Sequence, residues 1–234
     1  TLRLSSFLNS PARKLTADQK QLISLGRGLV REDVAGVLMD EPLTVIDPDL
    51  KFRLRRNLKE INEQYKTTLV YVTHDQNEAM TFADNIIVMD QGEIVQVGLP
   101  KDLFEKPRTT FVGYFIGSPA MNLFKSEILS DNSIKFNNDT IKTKTDLSKI
   151  KDKNVKLGIR SEFIKIATDQ KENIVSVKVT RVEDFGNFKL ITGKAGDLEI
   201  KSKVEREIPI STEELKLHLP AEKCCIYSNE MLVN

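Results

Sequence analysis

Val37-Leu38-Met39-Asp40-Glu41-Pro42-Leu43-Thr44-Val45-Ile46-Asp47 is the stretch on which the reading of this chain turns. A short apolar run ends in two adjacent carboxylates, followed by a proline and a third carboxylate. Such a run reads as a buried strand that delivers acids to its carboxyl end. In an open α/β sheet, ligands bind in the crevice beyond the strands' carboxyl ends, which puts Asp40 and Glu41 at a site. Taken alone, the pattern also fits an acidic pair that merely starts a turn. The second half of the signal lies downstream, where Thr68-Leu69-Val70-Tyr71-Val72-Thr73-His74-Asp75 forms another β-branched run ending in His74, one of two histidines in the chain. The two runs set Asp40-Glu41 and His74 at successive strand ends.

Helix starts punctuate the same region. Thr16 with Gln19 three residues later is a capping box, and Leu22, Leu25 and Leu29 with Ile23, Gly26 and Val30 give the following helix an apolar stripe. Free backbone N–H groups and the positive dipole end at residues 16 to 19 favour a phosphate, although a capped surface helix shows the same residues. Asp47-Pro48 opens the next helix, with Leu50, Leu54, Leu58, Ile61 and Tyr65 along one face. Lys51, Arg53, Arg55, Arg56 and Lys59 fall mostly off that face. With Glu60 and Glu63 nearby and no aromatic interleaving, they read as a solvated face rather than a nucleic-acid surface. Asp75 with Glu78 forms a second capping box that opens a helix through Ala83, so His74 is held at a strand-to-helix junction. Ahead of all this, Leu2, Leu4, Phe7 and Leu8 mark a short helical piece that runs into a loop at Pro11 to Lys14.

The order and spacing of Leu15 to Gln19, Asp40-Glu41 and His74 resemble the ATP-binding subunit of ABC transporters. On that resemblance Val37 to Glu41 correspond to the Walker B strand, Thr44 to Asp47 to the D-loop, Thr73 to Asp75 to the switch-histidine loop, and residues 15 to 19 to the signature loop. The resemblance implies ATP and Mg2+ as cofactors. Asp40 would hold the magnesium through water, Glu41 would act as general base, His74 would contact the terminal phosphate, and Asp47 would act across a dimer. Thr16, Ala17, Asp18 and Gln19 would face the nucleotide of the partner subunit.

This sequence departs from the family's pattern at three places. The family's Leu-Ser-Gly-Gly-Gln appears as Leu15-Thr16-Ala17-Asp18-Gln19, so Asp18 places a carboxylate where backbone should approach phosphate. Val45-Ile46 replace the polar-Leu pair usual in the D-loop. No Gly-x-x-x-x-Gly-Lys-Ser/Thr occurs; the only Gly-Lys, Gly193-Lys194, is followed by Ala195 and has Phe188 where the first glycine belongs. The chain alone is therefore expected to be inactive as an ATPase. In the family's sheet the phosphate-loop strand lies between the His74 strand and the Ile86 strand, so two strands are expected to face a gap.

Beyond His74, Ile86 to Met89 and Ile94 to Val97 read as a hairpin around Asp90-Gln91-Gly92-Glu93, followed by short helical pieces at Leu103-Phe104 and Phe111 to Phe115. Residues 113 to 123, Gly-Tyr-Phe-Ile-Gly-Ser-Pro-Ala-Met-Asn-Leu, resemble the joint after the ATPase domain in carbohydrate and glycerol-phosphate importers of the maltose type. A boundary near Gly117 then divides an ATPase part, residues 1–116, from a second domain, residues 117–234. There the hydrophobic period changes to two: Val155, Leu157, Ile159; Ile174 or Val175, Val177, Val179; Leu198, Ile200; Leu215, Leu217, Leu219. Short strands with turns at Gly186-Asn187 and Gly193 to Asp197 predict a small β-barrel. Leu157-Gly158-Ile159-Arg160-Ser161-Glu162 resembles the importer family's Leu-Gly-Ile-Arg-Pro-Glu, with Ser161 for proline, which implies an OB-like regulatory barrel. Residues 137 to 153, rich in Asn, Lys, Asp and Thr, read as a loose loop.

Composition sets the outer bounds. The 234 residues are 40% hydrophobic and 29% charged, with 35 basic against 34 acidic residues, so charge argues for neither nucleic acid nor a membrane surface. No apolar run approaches the ~20 residues of a spanning helix. Cys224 and Cys225 are adjacent, which suits neither a disulfide framework nor zinc, and they read as reduced and structural. The chain opens at Thr1 without methionine, as a segment of a longer protein would. The fold class expected is α/β: a partial P-loop NTPase domain followed by an all-β OB-like barrel. The function expected is that of a truncated and degenerate ATP-binding, ATP-hydrolysing subunit of a carbohydrate or glycerol-phosphate importer. It would be cytoplasmic and peripheral on the inner face of the membrane, paired with a second ATPase subunit and with membrane-spanning permease subunits, and without nucleic acid. The rival reading is a non-catalytic docking module whose barrel binds a protein or small ligand.

Overall fold

A computed structural model describes residues 4–31, 34–152, 154–210 and 213–233; Leu2, expected in the first helical piece, lies outside them. The chain divides into two compact units, Thr1–Ile86 and Ile87–Asn234.

The first unit begins with 3-10 turns at Leu4–Phe7 and Ala12–Lys14, then runs α1 (Ala17–Leu29), β1 (Gly36–Asp40), α2 (Pro48–Tyr65), β2 (Thr68–Val72) and α3 (Gln76–Phe82). β1 and β2 pair in parallel, from Gly36 opposite Thr68 to Asp40 opposite Val72. α2 starts as its sequence dictates, with Asp47 accepting a hydrogen bond from the Asp49 amide and Pro48 in the first turn. One face of the strand pair supplies Met39, Val37, Leu69 and Tyr71 to a core with Leu25 and Leu58 of the helices. Leu22, Leu43, Ile46 and Leu54 form a second cluster beside it.

The buried strand expected at residues 37 to 41 is buried on one face only. Leu38 is 79% exposed, and its neighbours on that face, Val70 and Val72, are 45% and 53% exposed. The cause is the sheet itself, which has two strands among the described residues. Its core-facing residues alternate with apolar residues that no described residue covers. Val30, placed on the α1 stripe, is also exposed, since α1 ends at Leu29.

The second unit opens with the hairpin of β3 (Ile86–Asp90) and β4 (Glu93–Gly98), turned through Gln91 and Gly92 at φ 48° and 85°. Two left-handed residues match the twist of a two-residue hairpin, and glycine takes the second at no steric cost. Short helices α4 (Pro100–Glu105) and α5 (Thr110–Phe115) follow. The remainder is antiparallel: β5 (Asn122–Ser130), β6 (Ser133–Phe136), β7 (Asp139–Lys142), β8 (Asn154–Ile159), β9 (Lys165–Ile166), β10 (Ile174–Asp184), β11 (Phe188–Ala195), β12 (Leu198–Glu205), β13 (Glu214–His218), β14 (Cys225–Ser228) and β15 (Met231–Leu232). They make two sheets, ordered β12-β11-β10-β13-β9 and β15-β14-β8-β5-β6-β7. Phe124, Phe136, Leu157, Val175, Ile200 and Ile226, drawn from both sheets, share one core. Asn122 joins the sheets by donating to the Lys201 carbonyl at 2.9 Å and accepting from the Lys201 amide at 2.8 Å.

Residues 137 to 153 are not the loose loop that their polar composition suggested. β7 lies within them, and Ile141 and Leu147 are fully buried. Asn173 fastens β7 by exchanging two 2.8 Å hydrogen bonds with the Lys142 backbone, and donates also to the Leu219 carbonyl. Two apolar anchors and one bridging amide outweigh a polar majority.

Arg160, at the end of β8, is fully buried. Its Nε donates to the Phe104 carbonyl at 2.9 Å, and its Nη1 donates to the carbonyls of Gly113 (2.8 Å) and Ile116. The guanidinium also lies 4.6 Å from the Phe104 ring. Carbonyls at the ends of α4 and α5 are thus bonded by one side chain of the barrel, and that of Gly113 also accepts from the Met121 amide at 3.2 Å. Gly117, at φ +103°, leaves room for it: a Cβ there would stand 2.7 Å from Nη1. The border between the compact units falls at Ile86, ahead of the boundary expected near Gly117. Cys224 and Cys225 are free and buried, and burial pushes the Cys224 thiol up to about 12, which suits the structural part expected of them.

A large-to-small change in the shared barrel core should be costly and one on the open sheet face should not. Leu157→Ala is expected to lose about 2–5 kcal/mol in urea unfolding, while Leu38→Ser stays within about 0.5 kcal/mol of the parent.

Candidate functional site

The site is built at the carboxyl ends of β1 and β2. Glu41 follows β1 directly and extends the ladder by one bond, its amide donating to the Val72 carbonyl at 2.9 Å. Its backbone is left-handed, φ 45°, which turns the chain sharply out of the strand. Across from it the His74 amide donates to Glu41 Oε1 at 2.9 Å, and the His74 ring places Nδ1 2.5 Å from the same oxygen. Thr44 donates its hydroxyl to Oε2 at 2.8 Å. An ionised carboxylate only accepts, so Nδ1 carries the proton and Nε2 is left as the outward ring nitrogen.

Partial burial acts to raise the pKa of Glu41, but the hydrogen bonds from Thr44 and from the His74 ring and amide, with the attraction of the ring, outweigh it and hold the carboxyl below its ordinary 4.5. Asp40 is the exposed last residue of β1, opposite Val72. Asp47 serves as the cap of α2. Of the residues singled out in the sequence, Glu41 and His74 are brought into contact; Asp40 sits beside them in the chain, and no hydrogen bond joins Asp47 or residues 16 to 19 to the pair among the described residues.

Residues 16 to 19 form the capping box expected of them. The Thr16 amide donates to Gln19 Oε1 at 3.1 Å, and the Thr16 hydroxyl accepts from the Gln19 amide and donates to the Asp18 carboxylate. Gln21, one turn on, ties α1 to the acidic loop through the Pro42 carbonyl at 3.1 Å.

The second expected box does not close. Asp75 accepts from the amides of Asn77 (2.8 Å) and Glu78 (3.4 Å), but the Glu78 side chain turns inward, 2% exposed, instead of back to its own helix. It accepts from Tyr71 Oη at 2.7 Å and Thr73 Oγ1 at 3.1 Å, and pairs with Lys51 at 3.3 Å and Arg55 at 3.9 Å. Burial first, and then the Glu78 hydrogen bond, push the Tyr71 hydroxyl well above its ordinary value. Lys51 and Arg55, read as part of a solvated face, are therefore partners of a buried acid. The legible signal was Tyr71, a hydroxyl inside an apolar run that needed a partner.

Along 98% of its length the chain is similar to ATP-binding subunits of ABC importers, of the type that serves sugars and glycerol phosphate. It is 35% identical over 233 residues to the sn-glycerol-3-phosphate import ATP-binding protein UgpC of Pectobacterium atrosepticum, and covers 64% of that protein. It is 34% identical over 240 residues to the oligosaccharides import ATP-binding protein MsmX of Bacillus subtilis, and covers 65% of it. The chain thus spans just under two thirds of the length of these relatives. Residues 117–164 match the family described as the MalK OB fold domain, so the second unit carries an OB-fold barrel of that type in a mixed α/β chain. Among solved structures, the cytoplasmic molybdate-binding protein ModG superposes with a TM-score of 0.38 at 16% identity, covering 45% of this chain and 94% of that one.

Because the folded pKa of Glu41 is lowered, the stabilisation from its contacts is present above the ordinary value and is lost as pH falls through the lowered one. A carboxyl carbon-13 titration of Glu41 should have its midpoint below 4.5. His74→Ala should move that midpoint upward.

Proposed function

We propose that these residues are the catalytic and regulatory share of an ATP-hydrolysing importer subunit, with residues 1–116 as its ATPase part and 117–234 as its regulatory barrel. The observation that carries the reading is the meeting of Glu41 and His74 at 2.5 Å, at the ends of two parallel strands, in a chain so widely similar to import ATP-binding proteins. ATP supplies the terminal phosphoryl group whose transfer to water releases the energy for transport. Glu41, ionised, can accept a proton from an attacking water. His74 keeps Nε2 for a terminal phosphate, and Asp40 stands exposed for magnesium through water. Asp47 would face a second subunit. Permease subunits are the membrane partners and carbohydrates or glycerol phosphates the cargo. The place of work is then the inner face of the membrane, as a peripheral protein; no described helix is long and apolar enough to cross it.

The fit to the nucleotide is uneven. Asp40, Glu41 and His74 suit it in residue type and placement. Residues 16 to 19 suit it less, because the amides of Thr16 and Gln19 are already bonded within the capping box and Asp18 adds a carboxylate at the helix start. The sequence also has no phosphate loop, so the cradle for the triphosphate has to come from other residues. These two features favour the second reading, a docking module with a regulatory barrel.

Calorimetry tests the chain as it stands, and binding of magnesium-ATP at micromolar affinity would refute the need for a cradle from elsewhere. In a protein completed with a phosphate-loop segment, Glu41→Gln should keep ATP binding and lower turnover by about 10²-fold or more. Asp18→Gly should raise turnover. Hydrolysis indifferent to both substitutions would leave the docking reading in possession.

A further inference from the structure

Glu78 is the one charged side chain that the first unit buries among its described residues. Its surroundings are lopsided. Tyr71 and Thr73 reach its Oε2 from the β2 side, while Lys51 and Arg55 reach its Oε1 from the first two turns of α2. Thr73 passes the connection on, because its hydroxyl also accepts from the Asp75 amide at 3.0 Å. The residues on both sides of His74 are thus tied, directly or through one hydroxyl, to a single buried carboxylate. The same carboxylate is tied to the start of α2, whose cap is Asp47.

α3 itself does not require this arrangement, since Asp75 already caps it. Taking a carboxylate and its cations out of water costs free energy that a leucine in the same place would avoid. What the network secures is geometry: His74 reaches Glu41 through its amide and its ring at once, which needs the backbone from Thr73 to Asp75 held in one conformation.

We infer that Glu78 is a positioning residue, which fixes the 73–75 loop so that His74 stays engaged with Glu41 and which links that loop to the Asp47 end of α2. The inference rests on the reading of Glu41 and His74 as the reaction centre, but its geometry can be tested without hydrolysis.

The test uses the whole chain and nuclear magnetic resonance. In Glu78→Gln, a near-isosteric change that removes the charge, the His74 amide should lose about tenfold or more of its exchange protection. The His74 ring nitrogen signals should move toward those seen in Glu41→Gln, while the Leu54 and Leu58 amides in α2 keep their protection. Thr73→Val, which removes the hydroxyl relay and keeps the shape, should loosen the His74 amide in the same way, and decides the matter if Glu78→Gln does not fold. Parent-like His74 signals in a folded Glu78→Gln, or in Thr73→Val, would overturn the inference. So would a loss of protection spread evenly over α2 and both strands, which is what a merely structural ion pair would give. A loosened His74 upholds the positioning whatever hydrolysis assays return; Glu41→Gln with undiminished turnover in a completed protein would overturn the functional reading alone.

Discussion

The parallel pairing of Gly36–Asp40 with Thr68–Val72 is the constraint from which the rest of the first unit follows. Parallel strands end at the same edge, so the acids that close one run and the histidine that closes the other are delivered to one place. Register then decides which atoms meet: with Asp40 opposite Val72, the next residue up is Glu41 and its amide takes the Val72 carbonyl. The same pleat sends Met39 and Tyr71 into the helices and Leu38, Val70 and Val72 away from them. A parallel sheet is normally covered on both faces and rarely stops at two strands. The geometry of the site and the exposed apolar face of the described sheet therefore have one origin.

The second unit rests on different physics. Its core is drawn from two antiparallel sheets, and its polar joints, Asn122, Asn173 and Arg160, bond backbone groups rather than opposite charges, with Arg160 Nη2 left without a hydrogen-bond partner. Burial lowers the pKa of the Arg160 guanidinium, yet backbone carbonyls at two helix ends and an aromatic face compensate the charge well enough to keep it inside. α4 and α5 consequently belong mechanically with the barrel.

Much of this was legible in the residues because the signals were local. Caps at Thr16, Asp47 and Asp75, the Gln91-Gly92 turn and the period-two strands of the barrel depend on neighbours within a few positions, and the structure has them where the sequence set them. The Glu41–His74 contact was reachable only through order and spacing, since its partners lie 33 residues apart. Three features escaped for one reason, which is that long-range pairing overrode local composition. Glu78 exchanged its capping role for a buried network, Lys51 and Arg55 turned inward to meet it, and the polar stretch at 137 to 153 was drawn into the barrel by Ile141, Leu147 and Asn173.

On the proposed reading, Glu41 and His74 belong to a site whose phosphate loop comes from other residues, beside a sheet of two strands among the described residues. Hydrogen exchange at β2, with and without a separately produced phosphate-loop segment taken from one of the longer relatives, tests it directly. Fast exchange is expected at Leu69 and Tyr71, whose amides point away from β1, in the chain alone, then slowed exchange together with magnesium-dependent ATP hydrolysis when the segment is added. Exchange that the segment leaves unchanged, or hydrolysis by the chain without it, would contradict the account.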